Sequence, residues 1–467
     1  MNIRLIFTIA VSKIIIRACR LVKWGGTSLP GEIARRLYPD VIKEITRNFN
    51  TIMVTGTNGK TTATRIISRM LSENNISHIT NKSGANLVDG ITTTFIEHVD
   101  FLGHSNVKTA LIEIDEAAFN KMTDHLQPSI LVITNFFRDQ LDRYGELYST
   151  LKKVKAGIDK SPVVNLILNA DDSLCASLGK DSLRPVVYYG MDRDAFNYSD
   201  KLSNSDAAFC IYCKTRYEYS YRTYGHLGGF RCPGCGYQKP DTQITCTGID
   251  KLTSSYSGIQ YKISNTEGSS HENRYCAKIN LPGLYNIYNS LAAIALGSLM
   301  GIPHESILTA LENFECGFGR METIKANGKQ IKLILVKNPA GFNQVINYLL
   351  TEEKSISLAI LINDRLADGT DVSWLWDVDF EALQDIQDRL CNVYTSGTRA
   401  EDMALRLKYA GVYTDKIRIV HDYEKLLSEG LLRTPEGHSL YILPTYTAML
   451  GIRRVLKQKF NLREFWK

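Results

Sequence analysis

Residues 55 to 62 read Thr-Gly-Thr-Asn-Gly-Lys-Thr-Thr, after the apolar run "TIMV" and before the helical stretch "ATRIISRMLSEN". The chemistry this spacing can do is phosphate binding. Gly56 and Gly59 let the backbone approach an anion, and a helix start presents further N–H groups to it. Lys60 can reach the β and γ oxygens of a nucleotide, and the Thr61 hydroxyl can ligate Mg²⁺, with Thr57, Asn58 and Thr62 completing the loop. Such a loop needs an acidic metal partner on a neighbouring strand. "LIEIDEAAF" offers Glu113, Asp115 and Glu116, of which Glu113 is the favoured ligand and the other two read better as solvated carboxylates.

Four cysteines form the second constellation. "CIYC" at 210–213 and "CPGC" at 232–235 give C-x₂-C-x₁₈-C-x₂-C, the spacing of Zn²⁺ held between two knuckles. Thiolates from Cys210, Cys213, Cys232 and Cys235 leave no open coordination position, so the metal is expected to be structural. Gly234 and Gly236 free the second knuckle. Lys214, Arg216, Arg222 and Arg231 would suit a nucleic-acid reader. Tyr217, Tyr219, Tyr221 and Tyr224 suit a ribbon that covers itself or docks on a larger domain, and this reading is favoured.

These residues need scaffolds, and 467 residues, 44% of them hydrophobic, suffice for two or three domains with their own cores. "TIMVTG", "KTALIEID", "SILVITNF" and "VVNLILNA" read as buried parallel strands alternating with helices. The alternation restarts with "IKLILVKN", "ISLAILIN", "CNVYTSG", "IRIVHD" and "SLYILPTY". The expected fold is α/β: an N-terminal helix and lead-in over 1–45, a P-loop ATP-binding domain over 46–315 with a Cys₄ zinc-ribbon insert at 205–245, and a smaller Rossmann-like α/β domain over 316–467.

A net charge of +6, from 55 basic against 49 acidic residues without a long single-sign run, gives little support for a polyanionic partner, and no nucleic acid is expected. Ten cysteines in a chain of this size, four of them at metal spacing, fit a reducing cytoplasm. The amino-terminal apolar run is interrupted by Arg4, Lys13, Arg17 and Arg20, too charged to span a membrane. Ile3, Phe7, Val11, Ile14, Ala18 and Leu21 recur at helical steps beside a basic flank. A packed first helix is the favoured reading, and a helix lying on an anionic membrane surface is the alternative.

"TGTNGKTT" resembles the phosphate loop of the Mur ligases and the related folylpolyglutamate synthetases. "TNFFRDQLDRYG", "LNADDS", "GLYNIYNSLAA" and "FGRME" resemble further segments of that family. The resemblance implies ATP and Mg²⁺ as cofactors, Glu113 as a Mg²⁺ ligand, Asn286 and Asn289 at the adenine site, and Arg320 near the nucleotide. Three positions depart from the pattern. Gln140 stands for a histidine that helps bind a second metal, Tyr285 for the histidine before the first adenine-site asparagine, and Val154, between Lys153 and Lys155, for a modified lysine.

The phosphate loop begins too early to be preceded by the separate domain that holds a UDP-sugar in the amino-acid-adding Mur ligases. With the zinc insert, and with "VKNPAGFNQVI", "DGTDVSWLWDVDFE", "TSGTRAEDMALRL" and "ILPTYTAML", the chain resembles the MurT subfamily. These are ligase-like subunits of bacterial lipid II isoglutaminyl synthases, working as a heterodimer with a glutaminase subunit, GatD. The resemblance implies ATP-dependent amidation of the α-carboxylate of D-glutamate in lipid II to D-isoglutamine. It also implies that Asp371 reaches into the partner to orient a Cys–His pair. Asp368 and Asp377 are the next candidates, with Trp374 and Trp376 as interface anchors. "DGTD" alone reads as a turn cap. Two rivals stand beside this reading: an amino-acid-adding ligase, and a zinc-ribbon ATPase that binds nucleic acid.

Overall fold

Alternate residues of the strand that ends at the phosphate loop point into two different cores. Ile52 and Val54 pack with Ile66, Ile67, Leu291 and Ala292, whereas Met53 packs on the other face with Ile9, Ile42 and Phe95. A strand buried on both faces is what the unbroken β-branched run requires. Each fully buried Ile or Val contributes about 1.5–3 kcal/mol, which pins the strand end that carries Gly56. The computed structural model describes all residues except 1, 22–27, 82–84, 139–146, 162–163, 197–205, 254, 265–271, 316–319, 327 and 463–467, and excepting the side chains of Glu272 and Arg320.

The first sheet contains β1 (Asn50–Thr55), β2 (His78–Thr80), β3 (Thr109–Glu113), β4 (Ile130–Ile133), β5 (Asn165–Asn169) and β6 (Val186–Met191). After the hairpin β7 (Glu218–Arg222) and β8 (Gly228–Arg231), it is completed by β9 (Ile244–Leu252), β10 (Ser257–Ser264) and β11 (Glu272–Ile279). Its order is β11-β10-β9-β6-β5-β4-β1-β3-β2. Pairings from β2 across to β9 are parallel, and β9, β10 and β11 close the edge antiparallel. β1 lies between β3 and β4, where the chain order switches direction, so its carboxyl end opens into the crevice where α/β sheets bind ligands. The four strands expected around the loop, "TIMVTG", "KTALIEID", "SILVITNF" and "VVNLILNA", are β1, β3, β4 and β5.

The second sheet comprises β12 (Arg320–Ala326), β13 (Lys329–Ile334), β14 (Ile356–Leu361), β15 (Leu390–Ser396), β16 (Ile417–Ile419) and β17 (Ser439–Pro444). It is ordered β12-β13-β17-β14-β15-β16. Only the β12–β13 pair is antiparallel. Helices Pro339–Leu350, Ala400–Tyr409, Tyr423–Arg433 and Tyr446–Phe460 accompany this sheet, and apolar clusters lie on its two faces.

Candidate active site

The turn after β1 is shaped by two glycines in the left-handed region, Gly56 at φ +124° and Gly59 at φ +84°. A side chain at either would also collide. A Cβ on Gly56 would stand 2.3 Å from Thr134 Oγ1, and one on Gly59 only 2.1 Å from Asn289 Oδ1. The loop is clamped from the end of β4: Asn58 N donates to Asn135 Oδ1 at 2.9 Å, and Thr134 Oγ1 and Asn135 Nδ2 donate to Asn58 O at 2.7 and 3.0 Å. Thr57 Oγ1 donates to Phe137 O and accepts from Phe137 N. The helix Lys60–Glu73 follows with its first-turn amides facing the loop.

Lys60 is buried and folded back on its own turn, its Nζ 2.5 Å from Gly56 O and 3.0 Å from Glu116 Oε2. Burial works against its charge, but Glu116, Asp115 and Glu113 outweigh burial and hold its pKa above the ordinary lysine value. Thr61 Oγ1 donates to Glu113 Oε1 at 3.1 Å. Glu113 is anchored through its backbone, which exchanges two bonds with the Asn81 side chain. Asp115 caps the helix Glu116–Met122 through Ala117 N. Glu113, Asp115 and Glu116 are all buried, three carboxylates around one ammonium. The two expected to be solvated are therefore inside, because β3 delivers the whole "EIDE" run to the crevice floor. Two surplus negative charges out of water call for a divalent cation, and a hydroxyl beside a carboxylate is the donor pair that holds Mg²⁺ in phosphate loops.

Asn286 and Asn289 lie on the helix Leu284–Leu299, linked to each other at 3.2 Å. With Asn58, Gly59, Thr62, Tyr285 and Tyr224 they line a recess of about 80 Å³, to which Lys337, Gly341 and Gln344 of the second sheet domain also contribute. Asn338 spans the junction. Its Oδ1 caps Pro339–Leu350 through Gly341 N at 2.8 Å, while its Nδ2 donates to Asn58 Oδ1 at 3.1 Å. Lys337 and Asn338 escaped the sequence reading, which assigned Tyr224 to the ribbon and not to this recess. "VKNPAGFNQVI" carries no local signal of which of its residues faces a loop 280 positions away. A larger cleft of about 660 Å³ adjoins the recess, sharing Tyr224, Ala340 and Gln344 with it.

The four cysteine sulfurs lie within 4.8 Å of one another, with Cys210–Cys235 at 3.6 Å and Cys213–Cys232 at 3.3 Å. Zn–S bonds of about 2.3 Å in a tetrahedron require S···S near 3.8 Å, so the set fits Zn²⁺. Both knuckles turn alike: Lys214 N donates to Cys210 O and Gly236 N to Cys232 O, and Lys214 and Gly236 have φ of +63° and +75°. The Thr215 hydroxyl and amide hold the Cys213 thiol down at about 6, toward thiolate. The ribbon both covers itself and docks. Tyr217, Phe230 and Tyr237 form a small core, and Lys239 pairs with Asp171 at 2.7 Å. His226, at the hairpin tip, meets Asp172 at 3.2 Å, and Asp172 also accepts from Phe136 N. Tyr224 stacks on Phe137 beside the phosphate loop.

In the second sheet domain Asp371 is half-buried and its Oδ1 accepts from Ser373 N at 2.8 Å, the bond of a turn cap. Asp368 is buried and committed to Thr447 through the backbone amide and the hydroxyl. Trp374 packs inside near Phe342. Trp376 is 55% exposed, with Arg406 over its ring and Tyr409 at its edge, and Asp377 lines the large cleft. Val154 is a core residue, and Lys153 and Lys155 face solvent. Gln140 and the Arg320 side chain lie outside the described residues; the Arg320 backbone begins β12, paired with Ile334.

Comparison with known proteins completes the picture. Residues 54–226 match the Mur ligase middle domain and residues 335–449 the MurT ligase C-terminal domain. A Streptococcus pneumoniae protein named lipid II isoglutaminyl synthase (glutamine-hydrolyzing) subunit MurT is 34% identical over 94% of both chains. The Staphylococcus aureus N315 protein of the same name is 32% identical over 97% of this chain and 98% of its own. Among solved structures, MurF from Acinetobacter baumannii superposes with a TM-score of 0.66 at 15% identity, covering 91% of this chain and 80% of that one. A pseudomurein peptide ligase type C from Methanothermus fervidus gives 0.64 at 20% identity, covering 89% and 81%. At these identities the two structures establish the shared fold.

Proposed function

Given that the chain belongs to the MurT family of Mur-type ligases, we propose that it is the ATP-consuming subunit of an amidating enzyme of peptidoglycan biosynthesis in the bacterial cytoplasm. An oxygen of the D-glutamate α-carboxylate in the lipid II stem peptide attacks the γ-phosphorus of ATP, and the bond to the β-bridging oxygen breaks to release ADP. Ammonia then attacks the acyl carbon, the carbon–oxygen bond to phosphate breaks, and loss of a proton leaves the D-isoglutamine amide. The observation that carries this reading is the buried Lys60–Glu113–Glu116 cluster at the mouth of the loop, in a chain matched along nearly its whole length by MurT subunits.

Amides of the loop and Lys60 bind the phosphates and neutralise charge as it moves to the leaving oxygen. Thr61 and Glu113 would hold Mg²⁺, which would supply positive charge against the phosphates. Asn286 and Asn289 carry the adenine side, and the family pattern assigns Arg320 to the nucleotide. Cys210, Cys213, Cys232 and Cys235 would hold Zn²⁺, fixing the ribbon whose tip presents Tyr224 to the recess.

Ammonia is mostly protonated at neutral pH, and this chain offers no convincing glutaminase nucleophile, so a GatD-like glutaminase partner supplies it. The C-terminal unit, 316–467, carries that interface, with Asp371 orienting the partner's imidazole. The turn bond to Ser373 uses one oxygen of Asp371, and exposed Trp376 is the neighbouring anchor.

Product mass is the test. Given Mg-ATP, lipid II and ammonium, the chain should yield a product slightly lighter than substrate, OH replaced by NH₂. A product heavier by an amino-acid residue from an amino-acid mixture would overturn amidation. With the partner and glutamine, Asp371→Asn should abolish glutamine-dependent turnover and spare the ammonium-dependent reaction; equal loss of both would place Asp371 in the fold instead.

A further inference from the structure

The first helix, Ile3–Leu21, is apolar on two opposite faces. Leu5, Ile9, Ile16 and Cys19, with Thr8 and Ser12, are buried, packed against the helices Leu29–Leu37 and Val88–His98. At about 100° per residue, Ile3, Phe7, Ile14 and Leu21 fall within roughly 40° of one another, on the side turned away from that core. They are 75, 59, 64 and 85% exposed. A helix that only packed would carry polar residues there.

Charge frames the stripe. The helix contains Arg4, Lys13, Arg17 and Arg20 and no acidic residue. By the same helical spacing Lys13, Arg17 and Arg20 follow one border and Arg4 the other. The acidic groups facing them are engaged: Glu97 pairs with Arg20 at 2.9 Å, and Asp100 accepts from the Leu102 and His104 amides. Phe101 and Leu102, both about half exposed, extend the apolar surface beside Lys13, whose ammonium lies over the Phe101 ring. The stripe spans about 27 Å at 1.5 Å per residue. No helix among the described residues is long and apolar enough to cross a bilayer.

We infer that the Ile3–Leu21 helix docks the enzyme on an anionic lipid surface, its exposed stripe entering the headgroup–acyl boundary and its basic borders meeting lipid phosphates. An apolar face with Lys and Arg along its edges is the pattern of a helix lying in the membrane plane, about 5–10 Å deep. The inference leans on the proposed reaction in one respect, that its substrate is lipid-linked.

Flotation itself contains no substrate, so the inference can fail separately from that reading. The full chain, alone and with its glutaminase partner, is floated with vesicles of equal phosphatidylglycerol and phosphatidylcholine, or of phosphatidylcholine alone. Wild type should float with the anionic vesicles and tenfold less with the neutral ones. Phe7→Ser with Ile14→Ser should lower binding at least tenfold at unchanged thermal midpoint and unchanged turnover of a lipid-free muropeptide. Lys13→Glu with Arg17→Glu should lower it on anionic vesicles. Wild type floating with neither vesicle would overturn the inference. So would the serine variant floating as well as wild type, the same variant turning a dimer into a monomer in sedimentation, or binding that vanishes once the glutaminase is bound.

Discussion

Gly59→Ala should weaken Mg-ATP binding, and it does so through two separable effects. At φ +84° an alanine is strained by about 1–2 kcal/mol. The new methyl also lands 2.1 Å from Asn289 Oδ1. Asn289 is buried and tied to Asn286, so moving it aside gives up a hydrogen bond worth about 1 kcal/mol. The free loop can relax into a less strained turn, which nucleotide binding must reverse. The sum, about 2–3 kcal/mol, corresponds to a roughly 30- to 150-fold rise in Kd. Calorimetric titration of wild type, Gly59→Ala, Asn289→Ala and the double variant isolates the collision. In the Asn289→Ala background the alanine at 59 should lose only its strain penalty, so its effect shrinks by about fivefold, the equivalent of about 1 kcal/mol. An equal penalty in both backgrounds would refute the collision, and no penalty in either would remove the loop from nucleotide binding.

Glu113→Gln should raise the Mg²⁺ concentration needed for half-maximal rate and lower kcat by about 10²- to 10³-fold, the usual loss for one electrostatic contact to a transition state; a magnesium titration of initial rates that overlays wild type would dismiss the ligand assignment. Burial opposes charge on His226, but Asp172 outweighs it and raises the pKa above 6.5. The stabilisation from that pair is therefore complete below about 6.5 and lost as pH rises through the higher folded value. The urea midpoint should fall across that window in wild type and stay level in His226→Gln; parallel slopes would clear the pair of responsibility. Elemental analysis should find one zinc per chain, and Cys213→Ser should lose it and expose the 206–243 segment to protease. Unchanged cleavage would mean that the knuckles fold without metal.

The parts legible in the sequence are those whose constraint is local. A left-handed glycine before a helix, or two C-x₂-C pairs, announce their geometry within a few residues, and both loop and knuckles take that geometry. Buried parallel strands were readable because β-branched runs mark burial on both faces. Burial of Asp115 and Glu116 was not readable, since their exposure depends on what β3 meets at its end. Nor was the part played by Lys337, Asn338 and Tyr224, which arises where three distant segments converge. The "DVSWLWD" segment shows the same limit: a 3₁₀ turn sends Trp374 inward and Trp376 outward, a division that hydrophobicity cannot express.

The bond from Asn338 to Asn58 ties the second sheet domain to the phosphate loop. Ligand pockets run to about 300 Å³ or more, and the recess beside the phosphate loop offers about 80 Å³. Seating a nucleotide there should shift the second domain and disturb the Asn338–Asn58 bond and the bond that the Tyr285 hydroxyl donates to Met321 sulfur. Turnover should then include a mechanical step that is neither diffusion nor bond-making, and it should slow in viscous solvent even when every chemical group is intact. A slow lid would also lend time: closed, it would shield an activated carboxylate from water while ammonia arrives from elsewhere.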